Sequence, residues 1–76
     1  MMKNIEKIII ENSENLNQKN FDENKEFSDL GIDSLDLFSI ISKIETKFKI
    51  KIKDKDLDKI NTPKKLYSHL KKKNVI

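Results

Sequence analysis

The chain has 76 residues, 36% apolar and 38% charged, with a formal net charge of +3. One glycine and one proline exclude turn-rich β-sandwiches and barrels, and the lack of cysteine excludes disulfides, thiolate zinc sites and a cysteine nucleophile. No apolar run nears the ~18 residues of a membrane span, and Glu6 and Lys7 interrupt the N-terminal run without a small-residue cleavage site, so the expected compartment is the cytoplasm.

Four segments read as helical. The first runs roughly over Met2–Leu16, with Ile5, Ile8, Ile9 and Leu16 at helical spacing. Its Asn- and Ser-rich end is expected to fray into a loop. A long irregular connection follows, about Asn17–Asp33, pinned by Phe21, Phe27, Leu30 and Ile32. The second helix, Ser34–Phe48, is the most periodic stretch. Phe48, Ile50 and Ile52 alternate with lysines, but a single strand has no partner, so an extended loop with apolar anchors is expected. A short third helix is expected near Lys55–Ile60. The fourth begins with Thr62 as N-cap and Pro63 at the first helical position, where its missing N–H costs nothing. Leu66, Tyr67 and Leu70 form its apolar face, and Lys71, Lys72 and Lys73 suit its negative end. The expected architecture is one domain over residues 1–76: an all-α four-helix bundle, three helices longer and one short, with a long loop between the first two.

Charge is unevenly placed. Residues 1–33 carry −4 and residues 34–76 carry +7. A basic half suits nucleic acid or an anionic membrane surface. However, all sixteen basic residues are lysine, and lysine, asparagine and isoleucine supply 36 of the 76 residues. Their AT-rich codons account for much of the basicity, and arginine forks are the usual readers of phosphate and guanine. A chain this short buries only about 60–65% of its unfolded surface and leaves little room for a deep catalytic cleft. A module handled by other proteins is expected.

On the second helix, Leu37, Ile40, Ile41, Ile44 and Phe48 fall within an arc of roughly 100°, wide enough for a core face. Leu35 and Phe38 lie to one side with Ser42 and Glu45. They either widen the core arc or form an exposed docking patch rimmed by Asp36 and Glu45.

The start of this helix reads Asp29-Leu30-Gly31-Ile32-Asp33-Ser34-Leu35-Asp36. Gly31, the lone glycine, suits a tight turn or positive φ. Asp33 suits the N-cap, with Asp36 placed to reach back as in a capping box. Ser34 then sits in the first turn with its hydroxyl outward, where free N–H groups and the helix dipole favour a phosphate.

Taken alone, Asp-Ser-Leu is an ordinary helix start. The whole run, with Phe27 before it, resembles the acyl carrier proteins. So do the Ile41…Ile44-Glu45…Phe48-x-Ile50-x-Ile52 tail, the acidic turn at Asp54 and Asp56, Lys59-Ile60, and the Thr62-Pro63-x-x-Leu66-Tyr67 start of the last helix. The resemblance covers nearly the whole chain. It implies that Ser34, flanked by Asp33 and Leu35, carries 4′-phosphopantetheine, transferred from coenzyme A by a phosphopantetheinyl transferase (the holo-carrier synthase). The thiol of that arm would hold acyl groups as thioesters, and the chain would be a monomeric carrier, not an enzyme. Acyl-transferring and acyl-processing enzymes would be its partners. They would dock on Asp33, Leu35, Asp36, Phe38, Ser42 and Glu45, and an acyl chain would be lined by Ile40, Ile41, Ile44 and Phe48. Ser39, Thr46 and Lys47 stand where this family commonly has acids, and Lys43 adds a positive charge. A specialised carrier is therefore expected in place of the housekeeping fatty-acid carrier.

Other readings carry less. His69 with Ser34 and an Asp would lack an oxyanion hole and a pocket, so a lone surface histidine is expected. Asp54, Asp56 and Asp58 alternate like a calcium loop without its glycine and final glutamate, so no metal is expected. An aminoacyl or peptidyl carrier is the alternative within the class. A lysine-rich nucleic-acid or membrane-surface module is the alternative outside it; neither nucleic-acid binding nor stable membrane insertion is expected.

Overall fold

The computed structural model describes residues 2–75. Four helices follow in order: α1 (Met2–Glu11), α2 (Ser34–Phe48), α3 (Asp54–Leu57) and α4 (Pro63–Lys72), with no strand among the described residues. The expected all-α bundle is the observed fold. α1 packs against both α2 and α4. The core joins Ile5, Ile8 and Ile9 of α1 to Ile40, Ile41 and Ile44 of α2 and Leu66 and Leu70 of α4. Each such side chain, fully buried, contributes on the order of 1.5–3 kcal/mol.

α1 ends five residues before the expected Leu16. The Asn12 Nδ2 group donates to the Ile8 carbonyl at 2.8 Å, and the Ser13 hydroxyl to the Ile10 carbonyl at 3.1 Å. The Asn12 amide still closes a last helical bond on the same Ile8 carbonyl. The Ser13 hydroxyl takes the Ile10 carbonyl that a longer helix would have bonded, and the segment frays as expected. Leu16 is still buried, but it reaches the core from the loop.

The α1–α2 connection is ordered by its own side chains and by the start of α4. The Asn17 Oδ1 atom accepts from the amides of Lys19 and Asn20, while Asn20 Oδ1 accepts from the Asn17 amide at 2.7 Å. Further on, the Phe27 amide donates to the Asn61 carbonyl at 2.9 Å and the Lys64 amide to the Glu23 carbonyl at 3.0 Å. Phe27, Leu30 and Ile32 are buried, and Phe21 is half-buried. Gly31 has φ of +79°, in the region open to glycine at little cost. The chain reverses there, and the Ile32 amide closes the turn on the Phe27 carbonyl at 2.9 Å.

α3 is shorter and earlier than the expected Lys55–Ile60. Beyond Leu57 the amides of Lys59 and Ile60 bond three residues back, to Asp56 and Leu57, so the segment tightens into turns. Ile60 is buried as an anchor of the connection, not as a helical residue. Ile50 is half-buried and Ile52 buried on an extended link, as expected. α4 starts at Pro63, with Thr62 Oγ1 accepting from the Lys65 amide at 3.1 Å.

Candidate functional site

The start of α2 is built by Asp33. Its backbone is extended, and its Oδ1 atom accepts from the Asp36 amide at 2.8 Å. The Leu37 amide bonds the Asp33 carbonyl at 2.9 Å, the first turn of the helix. No bond from the Asp36 carboxylate back to Asp33 is present among the described residues, so the cap is one half of a box. Ser34 follows in the first turn and is exposed, at the end of the helix where N–H groups lack helical carbonyls.

Two hollows meet at Ser34. One, of about 440 Å³, lies between α2 and residues 52–57. Leu37, Phe38, Ile41, Ile52 and Leu57 form its apolar wall, and Ser34, Ser42, Glu45 and Asp54 its polar rim. The other, of about 380 Å³, lies under the α1–α2 loop. Phe27, Ile32, Leu37 and Leu57 line it, with Asp33, Ser34 and Asn61 among its polar groups.

The residues expected to line an acyl chain separate. Ile41 faces the first hollow. Ile40 and Ile44 are fully enclosed in the core and line neither hollow, and the half-buried Phe48 packs against the core without reaching them. The reason is angular. At about 100° per residue Ile40 and Ile44 take one side of the apolar arc, enclosed in the core, whereas Leu37 and Ile41 take the other, which faces Ile52 and Leu57 across the hollow. Ile52 and Leu57 complete this wall. The alternation of Ile52 with lysines marked it as an anchor, but which wall it joins depends on the route of the chain after α2.

The expected docking residues also separate. Leu35 is 76% and Phe38 69% exposed, so they form a surface patch and do not widen the core. Ser42 is exposed beside them, and Asp36 is half-buried. Glu45 stands on the rim of the hollow that Phe38 and Ser42 share and has a second partner inside the fold. It is half-buried, and its Oε2 atom accepts from the Ile52 amide at 2.8 Å.

His69 is half-buried, not on the open surface, and its Nε2 atom is enclosed without a hydrogen-bond partner among the described residues. Asp54, Asp56 and Asp58 do not converge: among the described residues, no three acidic or imidazole groups gather as a metal site. No helix among those residues is long and apolar enough to cross a membrane.

A family model described as "Phosphopantetheine attachment site" matches residues 7–70. The acyl carrier protein of Buchnera aphidicola subsp. Acyrthosiphon pisum (strain APS) is 41% identical over 78 residues, covering 97% of this chain and 98% of that protein. The acyl carrier protein of Thermotoga maritima is 42% identical over 52 residues, 68% of this chain and 64% of that one. The mitochondrial acyl carrier protein of Neurospora crassa is 42% identical over 53 residues, 68% of this chain and 40% of that one. With a helical bundle whose central helix opens on an exposed serine, and with similarity running almost end to end, this chain belongs to the acyl carrier protein family, carriers built around a phosphopantetheine attachment site.

Proposed function

We propose that Ser34 receives 4′-phosphopantetheine from coenzyme A, and that the chain carries acyl groups for a dedicated set of enzymes, apart from the general fatty-acid machinery. The observation that carries this is the exposed Ser34 side chain in the first turn of α2. A phosphodiester on that oxygen lies at the positive end of a fifteen-residue helix, where backbone N–H groups favour an anion. The residues present fit the group: the serine is open to solvent, and a hollow with an apolar wall begins beside it. When bound, the group supplies a thiol that holds acyl chains as thioesters, which the cysteine-free chain lacks.

The chain's own residues divide the remaining work. Asp33 holds the helix start and so fixes the direction of the serine. Leu37, Ile41, Ile52 and Leu57 offer an apolar wall to the near part of a cargo. Leu35 and Phe38 offer apolar contact to a partner, with the Asp33 and Asp36 charges beside them. A dedicated partner set is supported by Ser39, Thr46, Lys43 and Lys47, which leave the outer face of α2 without further carboxylates.

The test is direct. The purified chain is incubated with coenzyme A, Mg²⁺ and a broad-specificity phosphopantetheinyl transferase, then weighed. The wild type gains one phosphopantetheinyl mass and Ser34→Ala gains none; no gain by the wild type ends the proposal. The dedicated role is tested with the host's general ketosynthase. Transfer rates equal to those of the host's main carrier would remove it.

A further inference from the structure

We infer that α2 presents a surface of two opposite charges, and that the protein partner working at Ser34 carries the matching pair: cations at the serine end and carboxylates about three turns further along. This deepens the carrier proposal and rests on it. At the serine end Asp29 and Asp33 are exposed and Asp36 is half-exposed. At the far end Lys43, Lys47 and the capping Lys49 are all exposed. Asp36 and Lys47 are eleven residues apart, about 16 Å along a helix at 1.5 Å per residue. Glu45, the carboxylate of this half, turns toward α3 and bonds the Ile52 amide, so it offsets the lysines least on the outer side.

Between the two ends the face is uncharged and uneven. Leu35 and Phe38 project, and beyond them the short side chains of Ser39, Ser42 and Thr46 leave a shallow hollow bordered by Lys43. A partner that fills it needs an apolar recess for Phe38 and a carboxylate near Lys43. A second carboxylate meets Lys47 one turn on, outside the hollow, along the stripe that Asp36 and Lys43 share at about 100° per residue. A uniformly cationic partner would meet both lysines as like charges. An acidic protein edge fits better than nucleic acid or a membrane. A uniformly anionic surface would gain the lysines but repel Asp33 and Asp36 on the same helix.

The experiment uses the full apo chain and the phosphopantetheinyl transferase encoded in the same genome, an enzyme that must reach Ser34. Loading kcat/KM is measured for the wild type, for Lys43→Glu/Lys47→Glu, and for Lys3→Glu/Lys7→Glu on α1 as a control of equal net charge. The α2 double variant should lose about tenfold at low salt, mostly through association, and the deficit should close near 1 M NaCl, where the Debye length is about 3 Å. The control should change less than twofold. Unchanged or faster loading of the α2 variant overturns the inference and leaves the carrier proposal standing. Failure of the wild type to load overturns both. Lysine-dependent binding of the chain to vesicles of phosphatidylglycerol and phosphatidylcholine, with loading unaffected by the variant, assigns the lysines to a membrane and likewise overturns it.

Discussion

The Glu45 carboxylate accepts a hydrogen bond from the Ile52 amide at 2.8 Å, seven residues further along the chain. This bond ties the last turns of α2 to the extended link before α3, and it holds Ile52 in the apolar wall beside Ser34. The donor is a backbone group, part-buried, with no strand to satisfy it. Glu45→Ala should therefore cost about 1–2 kcal/mol in chemical denaturation, because the Ile52 amide loses a charged acceptor. Glu45→Gln keeps an acceptor oxygen and should recover most of that loss. Equal destabilisation by both variants would mean that charge, not the bond, matters.

Lys49 ends α2 with φ of +56° and ψ of +48°, its amide bonding the Glu45 carbonyl. Helices commonly place glycine at such a left-handed cap, since other L-residues pay for it in strain. Lys49→Gly should raise stability by about 0.5–1 kcal/mol, read as a higher denaturation midpoint at unchanged slope. A lower midpoint would show that the lysine side chain contributes more than the backbone strain costs.

Both bounds of α2 and the start of α4 were legible because periodicity and caps agree there. Asp33 and Thr62 each stand before an apolar face, and each accepts from the amide three residues on. α1 and α3 were less legible because their ends are decided by competition. Asn12 and Ser13 side chains take carbonyls of α1, and the three-residue spacing of Leu57 and Ile60 suits a tight turn as well as a helix. At the site, the place of Ser34 followed from the cap. The split of the apolar arc into core and hollow did not, since it depends on the route that residues 52–57 take opposite Leu37 and Ile41. The role of Glu45 was hidden for the same reason: its partner is a backbone amide whose position only the folded link defines.

Asp33 combines a cap with a negative charge beside Ser34, and two substitutions separate them. Asp33→Ala removes the acceptor for the Asp36 amide and should cost about 1 kcal/mol of stability, with slower loading of Ser34. Asp33→Asn keeps a good N-cap and should hold stability near wild type. If its loading rate also stays near wild type, Asp33 acts through helix geometry. If that rate falls toward the alanine value, Asp33 acts through its charge on the partner.

Phe38 is an apolar ring left 69% exposed on a helix whose other face is closed, so the fold gains little from it. Phe38→Ala should change the unfolding free energy by no more than about 0.5 kcal/mol, as for an ordinary surface position. A ring that enters a partner's recess is a different matter: truncating such an anchor costs about 1–2 kcal/mol of binding, or five- to thirtyfold in kcat/KM. Loading by the same-genome transferase and the melting midpoint, measured on one preparation, make the comparison. Intact stability with slowed loading marks Phe38 as an anchor for the partner. A loss of stability with unchanged loading would return it to the core.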